Sequence, residues 1–111
     1  MKKGKRWSEH DCYGNVIYLT EERWQYITHN SNHPEMEDYE DYLKITIKNG
    51  KRKQEPLNPK KYRYYHYFEN LDCDVNHIVA IVLFGFSIDE KGNTIPSNYI
   101  ATAFFKHMLK R

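Results

Sequence analysis

Residues 77–86 read HIVAIVLFGF, an almost unbroken apolar run in a largely polar chain. At about 20 residues a bilayer span needs twice this length. A run this short and β-branched fits a central strand covered on both faces. The remaining residues must therefore supply two covers, and they must do so from 111 residues of which 40% are hydrophobic. Aromatics make up 15%, with ten tyrosines. Each buried aromatic removes roughly 150–250 Å² from water, so a modest number of them closes a core. One domain is expected, with residues 1–12 as a flexible basic lead-in and 13–106 as its core. The start MKKGKRW has cations but no following apolar segment, so a soluble, cytoplasmic protein is expected. Cys12 and Cys73 stand in neither a redox nor a zinc-ligand spacing, and whether they pair is left open.

Along the chain, CYGNVIYLT contains a Gly-Asn turn and a short β-branched strand, Val16 to Leu19. Thr20 is a good helix N-cap, with Glu21 and Glu22 in the first turn and Leu19 stapled to Trp24. This helix should end near His29. After the polar break NSN, His33 precedes Pro34, a favoured first helical residue, so His33 should cap a second helix. Met36, Tyr39, Leu43 and Ile47 give that helix its apolar stripe, and Asn49-Gly50 its stop. From there the period changes to two. KRKQEPLNPK is at best an edge strand, YRYYHYFE alternates, DEKGNTIPS is a turn and YIATAFF is a final strand. The expected fold is α+β, with two N-terminal helices on one face of a small, mainly antiparallel sheet. Its other face stays partly open, with Arg63 and Tyr65 or their alternates pointing from it.

Charge is unevenly spread. EMEDYEDY at 35–42 is acidic, whereas 44–63 carries Lys44, Lys48, Lys51, Arg52, Lys53, Lys60, Lys61 and Arg63 against Glu55. Cations interleaved with tyrosines suit a phosphate backbone, and they equally suit a solvated loop.

Three segments in order, LTEERWQYITHNSNHPEM, PKKYRYYHYF and IVAIVLF followed by YIATAFF, resemble small phage-associated domains of the barnase–EndoU–colicin–RelE (BECR) nuclease superfamily. The likeness spans roughly residues 14 to 105. Where that pattern often has a histidine, Tyr26 stands here, with His29 one turn later. The resemblance implies a barnase/RelE-like fold and a metal-independent ribonuclease of toxin, effector or phage-derived type. It points to His33, to a basic residue with Tyr65, and to Thr102.

The chemistry is coherent. Cleaving RNA without a metal requires the 2′-OH deprotonated, the leaving oxygen protonated and the phosphorane charge neutralised. Histidine titrates in the right range for proton transfer. Arg63 and a lysine would clamp phosphate, and Tyr65 and Thr102 would orient or stabilise. His29 or His66 would be the second proton-transfer group, and Lys51, Arg52, Lys53, Lys60 and Lys61 would hold RNA. No cofactor is expected. His29 and His33 lack the glutamate of a zinc helix, so no metal is expected either. Each residue also has a structural reading: His33 as a cap, His29 as a helix end, His66, Arg63 and Tyr65 as sheet residues, Thr102 as a strand former, and His10, His77 and His107 as scaffold. Rival functions are a non-catalytic RNA-binding module and a protein-interaction domain. In the latter the acidic second helix would dock a basic partner, and an acidic antitoxin or immunity protein would be a partner of a toxin.

Overall fold

The apolar run forms the middle of a sheet, in a computed structural model that describes residues 4–71 and 74–109. Eight strands form: β1 (Lys5–His10), β2 (Val16–Thr20), β3 (Lys51–Glu55), β4 (Asn58–Tyr67), β5 (His77–Leu83), β6 (Phe86–Ile88), β7 (Thr94–Pro96) and β8 (Asn98–Lys106). The helical part lies between β2 and β3. It comprises α1 (Glu21–Ile27), a 3-10 segment (Pro34–Tyr39) and α2 (Glu40–Asn49). Six strands make one sheet in the order β1-β2-β8-β5-β4-β3, while β6 and β7 form a separate hairpin. Every pairing is antiparallel except β2 with β8, which is parallel and brief, joining Ile17 to Asn98 and Tyr18 to Tyr99.

This architecture corrects the expected one. Strand accounts for 46% of the chain and helix for 22%, so two N-terminal helices on a small sheet do not describe it. Two strands precede the helices, and the sheet they help to build is wide. β1 escapes a pattern-based reading because KRWSEH is charged and lies at an edge, where only alternate residues are even half-buried. It is nevertheless anchored. The Arg6 guanidinium pairs with Glu40 and, at 2.9 Å, with Glu21, and Trp7 Nε1 donates to Glu40 at 2.7 Å. The segment expected as a flexible lead-in thus bridges both helices. The expected turn DEKGNTIPS likewise contributes to the β6–β7 hairpin, whose residues are all exposed and so leave no apolar period.

The helices cover one face of the sheet. Ile17, Leu19, Tyr64, Ile78, Ala80, Val82, Ile100 and Ala103 meet Trp24, Ile27, Met36, Leu43 and Ile47 in one buried cluster. Thr20 caps α1 as expected, its hydroxyl accepting from the Arg23 N–H at 3.0 Å. The helix stops at Ile27, two residues before His29. His33 makes no side-chain cap; its carbonyl accepts from the Met36 N–H at 3.0 Å instead. Gly50 ends α2 with φ −75°, so left-handed freedom is not its role. A Cβ there would meet the Thr46 carbonyl oxygen at 2.3 Å and that of Tyr65 at 2.7 Å. The glycine is needed because α2 and β4 come together at that point.

Candidate functional site on the open sheet face

Successive strand residues alternate between faces, and directly paired residues share one. Because Tyr64, Ile78, Ala80 and Ala103 face the helices, their neighbours face away. One cross-sheet row on that open face runs Thr102, Ile81, Arg63, Lys53; the next runs Phe104, Val79, Tyr65, Lys51. A third begins Lys106, His77, Tyr67. Three of the expected site residues, Arg63, Tyr65 and Thr102, therefore share a surface. At about 4.8 Å per strand, the Arg63 and Thr102 backbones lie roughly 10 Å apart across β5.

His33 joins this surface from its rim. β2 leaves β8 after two residue pairs, and the helical segment contacts β8 beyond that point. The His33 N–H donates to the Ile27 carbonyl at 2.9 Å, holding the turn, and its ring lies 5.6 Å from that of Phe104. Its Nδ1 is 3.4 Å from a Glu35 carboxylate oxygen, and its side chain is 37% exposed. The imidazole is thus on the same side of the sheet as Arg63 but two strands away from it.

The other histidines fall elsewhere. His29 sits in the exposed turn, its Nδ1 bonded to Ser31 at 2.8 Å, and makes no contact with the open face. His66 pairs with Ile78 and packs on Phe68 at 4.7 Å, on the helix-bearing face. The sheet separates it from Tyr65. Parity also divides the five expected RNA-binding cations. Lys51, Lys53 and Lys61 belong to the open face, as partners of Tyr65, Arg63 and Leu83. Arg52 pairs with Tyr64 and points to the helix side, where it borders a cleft together with Lys60. The question of a Cys12–Cys73 pair lies outside the described residues.

Two features carry no signal in the sequence alone. Arg63 is already paired with Glu55 at 2.9 Å, so a phosphate there must compete with a carboxylate. His77, read as scaffold, lies on the open face between the rings of Tyr65 and Tyr67, at 6.3 and 5.7 Å. It is 1% exposed. Burial, then the nearby charge of His66 and His107, pushes its imidazole below the ordinary histidine range. Its period-two spacing from Val79 and Ile81 would have indicated its face had the register been known.

Among the described residues no three His, Cys, Asp or Glu side chains come together as a metal ion would require. No helix among them is long and apolar enough to cross a membrane. Comparison with family models, curated proteins and solved structures finds no match.

Proposed function

We propose that the protein is a metal-independent ribonuclease whose substrate lies across the open face. The observation that supports this reading most is the convergence of Arg63, Tyr65 and Thr102 on one face with His33 at its rim. These are the residues to which the likeness to the BECR nucleases points. Lys51, Lys53, Lys61 and Arg63 give that face a cationic side, which suits a phosphate backbone. In the reaction, a base takes the 2′-OH proton and the 2′-oxygen attacks phosphorus. The bond to the 5′-oxygen breaks, and that oxygen takes a proton. His33 handles one of the two protons. Arg63, released from Glu55, and an adjacent lysine neutralise the phosphorane, while the Tyr65 and Thr102 hydroxyls donate to it.

A second reading is favoured by one fact: the anticipated partner imidazoles, His29 and His66, are not on this face. With one proton-transfer group, the surface would bind RNA without cutting it. Incubating the protein with total RNA in EDTA separates the two. Cleavage leaving 2′,3′-cyclic phosphate ends, reduced about a hundredfold or more in His33→Ala, is the outcome expected of the nuclease. Salt-dependent binding with intact RNA would establish the binding module instead. A toxin role would bring an acidic neutralising protein as partner, detected as loss of cleavage in its presence.

A further inference from the structure

A second surface, on the opposite side of the sheet, has the composition of a nucleotide site. Past the end of the helices, a cleft of about 400 Å³ is bordered by Arg52, Lys60, Tyr62, Phe84, Phe86 and Asn98, with no helical residue among its walls. That volume is within the range of small-ligand pockets. Its walls are largely aromatic: Tyr62 and Phe84 meet at 5.0 Å, and Phe86, at the start of the exposed hairpin, is 73% exposed.

The Arg52 guanidinium is the distinctive group. It lies 4.3 Å from the ring centroids of both Tyr13 and Tyr62 and 5.7 Å from that of Phe84. Such stacking fixes the plane of the fork and leaves its edge for hydrogen bonding. That edge is barely used, its one hydrogen bond being a long one of 3.4 Å to the Tyr64 hydroxyl. Among the described residues no carboxylate lies within ion-pair distance of it. Arg63 on the other face, by contrast, is tied to Glu55. An oriented guanidinium without a counter-ion, beside an exposed aromatic ring and a lysine, matches a ligand that joins a planar ring to a phosphate.

We propose that this cleft binds one nucleotide unit of RNA, with the phosphate on Arg52 and Lys60 and the base stacked on Phe86. The inference rests on the RNA part of the reading above and not on cleavage. It assigns Arg52 and Lys60 a site of their own, separate from the open face.

The test is a calorimetric titration of the full chain with 5′-AMP, adenosine and inorganic phosphate. The expected result is that 5′-AMP binds more tightly than either part. Arg52→Gln weakens 5′-AMP and phosphate by roughly tenfold and spares adenosine. Phe86→Ala weakens 5′-AMP and adenosine by about fivefold or more and spares phosphate. Arg63→Gln changes none of them. Because Arg52 braces three rings, thermal melting accompanies that variant; Phe86 is exposed, so its variant tests the cleft without that complication. No saturable binding, 5′-AMP held no better than phosphate with Phe86→Ala silent, or loss in Arg63→Gln alone would each overturn the proposal. RNA left uncut while 5′-AMP still titrates would refute the nuclease only. Cleavage that persists without a titration would refute the cleft only.

Discussion

The two faces of the six-stranded sheet are made by the same strands and do different work. On the helix side, Ile78, Ala80 and Val82 interlock with Leu43 and Ile47, and no side chain there is free to serve a ligand. On the other side, the intervening positions of β4 carry Arg63, Tyr65 and Tyr67, half-buried and polar at their tips. One face commits its residues to stability, and the other can change residues at little structural cost. A single register therefore governs both, because a slip of one residue would exchange them.

The largest effect expected from this contrast is on stability. Ile78→Ala should cost about 2–5 kcal/mol in urea unfolding. Thr102→Ala, on the half-buried opposite face, should stay near or below about 0.5 kcal/mol. Equal costs would break the division. Next comes the polar contact at the edge of the core. The buried Tyr64 hydroxyl donates to Asp11, which also accepts from the Tyr13 and Asn15 backbone N–H groups. Burial pushes the Asp11 carboxyl up, but these donors, Tyr64 first, together hold it below its ordinary value. Tyr64→Phe should cost about 1–3 kcal/mol at neutral pH. Since a depressed carboxyl stabilises above its unfolded pKa of about 3.9 and ceases to as pH falls through the folded value, that cost should shrink in acid. A cost independent of pH would remove Asp11 from the account.

A smaller effect is expected at His77. Its folded-state pKa lies below the unfolded one, so its contribution is whole above about pH 6.5 and is lost as pH falls from there toward the folded value. Unfolding measured between pH 7 and 5 should show this decline, and His77→Leu should flatten it. Smallest is Glu55→Gln, which releases Arg63 and should raise RNA affinity a few-fold at low salt. Unchanged affinity would mean that Arg63 takes no phosphate.

Elements with a strong period were readable in advance. α1 with its Thr20 cap, the alternating β4 and the apolar β5 follow from residue order alone. What escaped was set by partners remote in sequence. The charged β1 is held by Glu21 and Glu40, and the parallel β2–β8 pairing joins residues about eighty positions apart. The six-residue 3-10 stretch after His33 reads as ordinary helix because its apolar Met36 and Tyr39 keep helical spacing. The site was legible in part for the same reason. Alternation separated Arg63 and Tyr65 from Tyr64 and His66, but it could not say that Thr102 pairs with the residue opposite Arg63, nor that His33 would lie against Phe104.

Gly50 links these matters. With two carbonyl oxygens from α2 and β4 crowding the place a side chain would occupy, the helix end and the strand bearing Tyr65 behave as one hinge-free joint. Even a methyl group there would have to pry the two apart, shifting the Lys51–Tyr65 pair along with them. Damage at this inward position, which touches no ligand, would thus reach the outward surface.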